Sequence, residues 1–173
     1  MAARVLVAYA SKMGSTREIA EFIADTLCAS GHEAVAAPAG AVQTLADVDA
    51  VVLGSALYAA HWRRDANRFV ARHLAALRAL PVWLFSTGPL DHRLAAHNMP
   101  ITPNAARITA GLVPGDHRTF GGRLDPDAPG LDPRVLATHP VGDFRDWAAV
   151  RDWAISIARG LDALPAATTA PPA

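Results

Sequence analysis

The strongest constraint on the fold is an alternation of short apolar runs with segments of helical periodicity. The runs at 5–9, 50–54 and 82–85 are almost entirely apolar, which is typical of strands buried on both faces of a sheet. Weaker strands are predicted at 32–37 and 117–122. Because these strands alternate with helices, we predict an α/β fold with a parallel sheet and helices on both of its faces.

Three helices are predicted from apolar residues that recur at helical spacing. The first ends at Gly31 and the second before Pro81, because glycine and proline both favour the end of a helix. Their apolar faces comprise Ile19, Phe22, Ile23 and Leu27, then Phe69, Val70, Leu74 and Leu77, and finally Trp147, Val150, Ala154, Ile157 and Leu161. A short helix is predicted at 104–111, and four prolines favour a loop over 123–143.

The predicted elements restrict the topology. Right-handed crossovers and one change of winding direction give the five strands the order 2-1-3-4-5, and such sheets bind ligands beyond the C-terminal ends of their strands. We predict one domain over 1–161 and a flexible Ala/Pro-rich tail over 162–173.

Charge and cysteine content argue against several classes of protein. The chain has 16 basic and 16 acidic residues, so no overall field attracts nucleic acid, and no nucleic-acid partner is expected. Cys28 is the only cysteine, which excludes an intrachain disulfide and a thiolate metal cluster. The seven histidines lack metal-ligand spacing, and we predict no metal site.

Hydropathy and the N-terminal sequence suggest a compartment. No apolar run approaches the roughly 20 residues of a membrane span, so at most peripheral membrane contact is expected. The first residues enter an apolar segment at once and lack a signal-peptide pattern. A cytoplasmic protein is therefore expected.

Charge is nevertheless distributed unevenly along the chain. Segment 63–78 carries five arginines against one aspartate, whereas 125–146 carries five aspartates against two arginines. An arginine row of this kind is most often a solvated helix face. Binding of a phosphate or an acidic partner is the alternative interpretation.

The loop after the first strand is the clearest candidate for a binding site. Unpaired N–H groups and the positive end of the helix dipole form an anion site at a helix N-terminus. Gly14 permits close approach of the backbone, and hydroxyl groups can add donors, which together predict a phosphate site. Ser15 and Glu18 also fit a capping box, which requires no ligand, so both interpretations stay open. The loop reads Ser11, Lys12, Met13, Gly14, Ser15 and Thr16.

This loop and the residues around it, 8–20, resemble the phosphate loop of the flavodoxin family, in which the pattern is Thr/Ser-x-Thr-Gly-x-Thr. Ser11, Gly14 and Thr16 match that pattern, whereas Met13 replaces a residue that usually carries a hydroxyl. The resemblance is greatest to the subgroup that contains menaquinone-dependent protoporphyrinogen dehydrogenase. It implies a flavodoxin-like three-layer sandwich that binds FMN.

Two further loops carry the same resemblance. Residues 54–62 follow the third strand, and their His61-Trp62 pair is similar to a pair in the dehydrogenase subgroup. Residues 86–92 follow the fourth strand and match the second flavin loop, where Pro89 has no N–H to donate. The resemblance implies that Gly88, Leu90 and Asp91 supply backbone donors to the flavin ring and that Tyr58 stacks on it. The expected cofactor-binding residues are Ser11, Lys12, Met13, Gly14, Ser15, Thr16, Ala56, Leu57, Tyr58, Thr87, Gly88, Leu90, Asp91 and His92.

The resemblance also implies a function. It indicates an FMN-dependent oxidoreductase that passes electrons from a reduced small-molecule substrate to a quinone-type acceptor. No catalytic side chain is assigned, because the flavin itself performs such chemistry. The alternatives are an electron carrier that serves a redox protein partner and a related domain that has lost FMN. Carriers of this family are typically acidic, so the isoelectric point of about 7.1 favours the enzyme.

Overall fold

The structure is a computed structural model that describes residues 2–88, 98–128 and 131–164. Its strands are β1 (Arg4–Ala10), β2 (Glu33–Pro38), β3 (Ala50–Tyr58), β4 (His61–Trp62), β5 (Val82–Thr87), β6 (His117–Phe120), β7 (Arg123–Leu124) and β8 (Gly142–Asp143). Its helices are α1 (Ser15–Ala29), α2 (Arg64–Leu77), α3 (Pro103–Ile108), α4 (Pro133–Thr138) and α5 (Trp147–Asp162).

Five parallel strands form the main sheet in the order β2-β1-β3-β5-β6. The two-residue strand β4 pairs only with β3, in an antiparallel hairpin. Without β4, the order is the predicted 2-1-3-4-5, and the predicted α/β fold is confirmed. The C-terminal ends of β1, β3 and β5 therefore lie side by side at one edge of the sheet.

Helices cover both faces of this sheet. Helices α1 and α5 pack on one face against Val5, Val7 and Val52, and helices α2 and α3 pack on the other face against Leu6 and Leu53. Successive side chains of a strand point to opposite faces, so strands buried on both sides need continuous apolar runs. This requirement explains why the central strands were evident from the sequence.

The segment 123–143 corrects the sequence prediction. It is not a continuous loop, because β7 pairs with β8 and helix α4 lies between them. The Asp132 carboxylate accepts a hydrogen bond from the Arg134 N–H at 2.9 Å, and Pro133 occupies the first turn of α4. Proline is favoured there because its missing N–H has no partner in a helix anyway.

Other element boundaries shift by a few residues. The short helix predicted at 104–111 is Pro103–Ile108, and β6 ends at Phe120 rather than at residue 122. Helix α5 ends at Asp162. The predicted tail lies mostly outside the described residues, so the domain division stays a prediction. No helix within 2–88, 98–128 and 131–164 is long and apolar enough to cross a membrane.

Gly54 provides a test of the core. A methyl group at Gly54 on β3 would overlap the ring of Phe85 on β5, which is fully buried and packs against Phe120 and Trp153. We expect Gly54→Ala to lower the free energy of unfolding by about 3 kcal/mol or more, because overpacking forces the core apart. Urea denaturation measures the change.

Gly160→Ala is the matched control. Gly160 lies within helix α5, and its new methyl group would make ordinary contact with Trp83 of β5. Alanine stabilises a helix interior by about 0.5–1 kcal/mol relative to glycine. Equal stabilities for the Gly54 variant and the wild type would contradict the described packing.

Candidate functional site

A cavity of about 290 Å³ lies at the C-terminal ends of β1, β3 and β5. Its volume is close to the lower end of the range for ligand sites. Three of its walls come from the three loops singled out in the sequence. These walls comprise Ser11, Lys12, Met13, Ser15 and Thr16, then Ala56, Leu57 and Tyr58, and finally Thr87 and Gly88. Gly14 lies behind the first wall and lines a neighbouring cleft.

The first wall is the N-terminus of helix α1. Gly14 precedes the helix with a φ of 89°, a left-handed conformation that glycine adopts without strain. Its N–H donates to the Ser11 hydroxyl at 3.1 Å, and the first helical hydrogen bond runs from the Glu18 N–H to the Gly14 carbonyl. The N–H groups at 15–17 therefore have no acceptor within the helix. These donors suit an anion bound beside Ser15 and Thr16, which line the cavity.

The capping-box alternative is wrong. Helix α1 has no side-chain cap, and the Ser15 hydroxyl is buried with no hydrogen-bond partner among the described residues. The Glu18 carboxylate does not return to the helix N-terminus, because it binds the guanidinium groups of Arg123 and Arg145. The Ser15 hydroxyl is thus left available for a ligand.

On the third wall, Thr87 resembles Ser15 in having a buried hydroxyl without a partner among the described residues. The residue is 3% exposed, and its hydroxyl has no hydrogen-bond partner within the described chain. An unpaired buried hydroxyl costs about 1–3 kcal/mol, so two of them around one cavity indicate that a polar ligand completes the site.

Gly88 corrects one expectation. Its N–H is not available to a ligand, because it donates to the Phe120 carbonyl at 3.2 Å. A side chain at Gly88 would also collide with Leu57. The absence of a side chain at Gly88 therefore allows the second and third walls to pack closely. Leu90, Asp91 and His92 lie outside the described residues.

The second wall is a tight hairpin that carries Tyr58. Ala59 and Ala60 form its turn with φ values of 48° and 63°, as a two-residue hairpin of this twist requires. The Trp62 indole N–H donates to the Ser86 hydroxyl at 2.9 Å, which fixes the hairpin to β5. His61 is exposed on this hairpin, and its Nδ1 lies 2.6 Å from the Ala59 carbonyl oxygen rather than in the cavity wall.

Two cations surround the Tyr58 ring. The Lys12 ammonium lies 5.7 Å from the ring centroid and the Arg63 guanidinium 5.8 Å from it, within the range of a cation–π interaction. Burial raises the pKa of the Tyr58 phenol, although Arg63 opposes that shift. The side chain is 43% exposed, so a neutral aromatic ring stands at the rim of the cavity beside positive charge.

A fourth wall was not predicted from the sequence. It contains Gly122, Arg123, Leu124, Leu131, Asp132 and Val135. Its apolar members lie in the segment that prolines and aspartates had assigned to a loop. The Asp-Pro pair at 132–133 is a helix-start pattern and was the one available signal for helix α4.

Glu18 holds this fourth wall in place. Arg123 donates to its carboxylate at 2.9 and 3.2 Å, and Arg145 donates at 2.6 Å. The Arg145 side chain is only 4% exposed and also pairs with Asp143 at 2.6 Å. These charge-assisted bonds connect the β7–β8 pair to the first turn of α1.

A metal centre has no support from the described residues, in which no three His, Cys, Asp or Glu side chains are grouped to hold an ion.

Comparisons with known proteins agree with this geometry. A sequence model of the family described as Flavodoxin domain matches residues 6–131. No curated protein matches the sequence. Among solved structures, flavodoxin 2 from Bacillus cereus superposes on this chain with a TM-score of 0.62 at 21% sequence identity. The alignment covers 91% of this chain and 99% of that flavodoxin.

Two other solved structures share the fold. A flavodoxin from the domain Archaea has a TM-score of 0.61 at 13% identity, covering 92% of this chain and 99% of its own. The rubredoxin:oxygen oxidoreductase of Desulfovibrio gigas has a TM-score of 0.62 at 15% identity, covering 92% of this chain but only 36% of that longer chain.

The ion-pair network predicts a pH dependence of stability. Hydrogen bonding from Arg145 holds the pKa of the Asp143 carboxyl below its ordinary value. A lowered folded-state pKa stabilises the protein above the unfolded value of about 3.9, and this contribution is lost as the pH falls through the folded value. We therefore expect the free energy of unfolding to fall less steeply below about pH 5 in Asp143→Asn than in the wild type.

Urea denaturation at a series of pH values measures this slope. Asp25→Asn, on the exposed side of α1, controls for the loss of one carboxylate outside the network. Parallel pH curves for the wild type and the Asp143 variant would contradict the role given to Asp143.

Proposed function

Because the chain belongs to the flavodoxin domain family, a family of FMN-binding electron-transfer domains, we propose that it is an FMN-dependent oxidoreductase. It takes electrons from a reduced small-molecule substrate and passes them through the flavin to a quinone-type acceptor, as the protoporphyrinogen dehydrogenases that its loops resemble do. The observation that carries the proposal is that the Ser15 and Thr87 hydroxyls, on two walls of the cavity, are buried and have no partner among the described residues.

The residues of the cavity fit FMN. The amides at 15–17 and the Ser15 hydroxyl suit the phosphate, because they offer N–H and O–H donors at the positive end of a helix. Thr87 adds a donor on another wall, and the aromatic face of Tyr58 suits a flat ring system. Met13 lines the cavity without filling it, which disfavours the alternative of a domain that has lost FMN. When bound, the flavin supplies the electron-transfer chemistry.

Charge around Tyr58 favours an enzyme that accepts electrons. Lys12 and Arg63 place two positive charges within 6 Å of the ring centroid, and positive charge near a flavin stabilises its reduced, anionic form. A flavin held in this way accepts electrons from a substrate more readily than one in an acidic site.

An electron carrier is the second candidate function. Tyr58 and the hairpin turn at Ala59 and Ala60 are exposed at the rim of the cavity, so a protein partner can approach the site directly. A carrier would bind FMN but would oxidise no substrate of its own.

An anaerobic assay with protoporphyrinogen as donor and menadione as acceptor separates the two candidates. The FMN-loaded protein is expected to oxidise protoporphyrinogen with reduction of menadione, and protein without FMN is the control. A protein that binds FMN stoichiometrically but leaves protoporphyrinogen unchanged would instead be the carrier.

Removal of either hydroxyl is expected to weaken FMN binding but to stabilise the protein when no FMN is bound. Ser15→Ala is expected to weaken FMN binding roughly tenfold to a hundredfold, since hydrogen bonds to charged groups contribute about 1.5–3 kcal/mol. Thr87→Val is expected to weaken it about twofold to tenfold. Both variants should melt at a higher temperature than the wild type without FMN, because each removes an unpaired buried hydroxyl.

Fluorescence titration of FMN and thermal denaturation measure these two effects. Ser156→Ala is the control, because its hydroxyl donates within its own helix to the Trp153 carbonyl. If both variants bound FMN as the wild type does, these hydroxyls would have no part in binding.

A further inference from the structure

The arginine row of α2 is concentrated on the exposed side of one helix. Arg64, Arg68 and Arg72 are four residues apart and all exposed, so they follow one another along the same face of the helix. At 1.5 Å per residue the row is about 12 Å long. Among the described residues, the side chains of Arg64 and Arg68 form no ion pair or hydrogen bond, and the Arg72 side chain donates only to the Val42 carbonyl at 3.4 Å.

Among the described residues, no carboxylate forms an ion pair with Arg64, Arg68 or Arg72. Asp65 is only partly exposed and lines a separate cleft with Arg17. The other exposed residues of α2 are alanines, namely Ala71, Ala75 and Ala76. The surface is therefore positive and low in relief, in a chain whose formal net charge is zero.

The row begins at the rim of the cavity. Arg63 immediately precedes α2 and lies beside the Tyr58 ring. The intervening hairpin residues, Ala59, Ala60 and His61, are all exposed. A macromolecule seated on the row would thus lie against the rim where the aromatic ring is exposed.

We infer that this surface, from the hairpin turn at 59–61 to Arg72, docks an acidic electron-transfer protein. The inference rests on the proposed function, because it needs the flavin of that function, and it adds a protein acceptor to the quinone-type acceptor proposed above. Complementary charge increases the rate of encounter and orients the partner. Three arginines beside a redox site suit a protein of small interface better than a membrane or a nucleic acid, which engage larger basic surfaces.

Each step transfers one electron. With FMN bound and fully reduced, the site would supply two electrons in succession, one to the redox centre of each of two partner molecules, and the protons released on reoxidation would pass to solvent. The partner needs a one-electron acceptor close to an acidic surface.

The test uses cytochrome b5, an acidic haem protein, as the probe. The FMN-loaded protein is reduced with one equivalent of dithionite under argon, and its reaction with oxidised cytochrome b5 is followed by stopped flow. Ionic strength is raised from about 20 mM to about 300 mM, which shortens the Debye length from about 20 Å to about 6 Å. The variant Arg64→Gln/Arg68→Gln removes two charges, and Arg64→Lys/Arg68→Lys retains them.

The control variant is Arg151→Gln/Arg159→Gln. Both arginines are exposed on α5, which packs on the opposite face of the sheet, and the change in net charge is the same. Cytochrome c, a basic haem protein, is the probe of opposite charge.

We expect the wild-type rate constant with cytochrome b5 to fall about tenfold or more over this range of salt. At low salt the Arg64/Arg68 glutamine variant should react about fivefold more slowly than the wild type, whereas the lysine and α5 variants should not. The Arg64→Gln/Arg68→Gln variant should show no such loss of rate when cytochrome c is the acceptor.

Three results would overturn the inference. The first is equal loss of rate in both glutamine variants, and the second is a rate independent of salt. The third is an equal loss of reaction with menadione, an uncharged acceptor, which would show damage to the flavin site instead. Failure to bind FMN, seen in the absorption spectrum before any kinetics, would overturn the proposed function.

Discussion

The left-handed conformation of Gly14 is the constraint on which the site depends. It allows the chain to leave β1, to donate the Gly14 N–H to the Ser11 hydroxyl, and to enter α1 with the amides at 15–17 unpaired within the helix. Any side chain at this position would strain the backbone. The same turn directs Ser15 into the cavity wall, so backbone donors, a buried hydroxyl and the helix dipole converge on one point.

Glu18 extends this arrangement from a loop to an enclosed cavity. It stands one turn into α1, and its two arginine partners come from residues more than 100 positions later in the chain. The network thereby brings Leu131 and Val135 into the lining of the same cavity as Tyr58. The first turn of α1 thus serves both as the candidate anion site and as the anchor of the fourth wall.

Much of this arrangement follows from the sequence, for reasons that are local. Continuous apolar runs give the strands, and parallel strands bring their C-terminal loops to one edge of the sheet. Three loops that lie far apart in the sequence, around Ser11, Tyr58 and Thr87, therefore meet at one cavity. Their meeting requires only the strand order, which follows from right-handed crossovers and one change of winding direction.

The parts that the sequence did not predict depend on distant partners. Glu18 fits a capping box locally, but the two guanidinium groups are better partners for a carboxylate than one backbone N–H. The sequence suggested that the Gly88 N–H is free to bind a ligand, but in the fold it donates to the Phe120 carbonyl at the end of β6. The fourth wall forms because β7 and β8 pair across an intervening helix, and two-residue strands leave no periodic pattern in a sequence.

The most direct test of the account compares the binding of FMN with that of riboflavin, which differs from FMN only in lacking the phosphate. Titration of the cofactor-free protein is predicted to give a dissociation constant for FMN at least about a hundredfold lower than that for riboflavin, because charge-assisted hydrogen bonds hold the phosphate. In the Ser15→Ala variant, the two dissociation constants should differ by a smaller factor. Equal affinity for the two flavins would contradict a phosphate site at the N-terminus of α1.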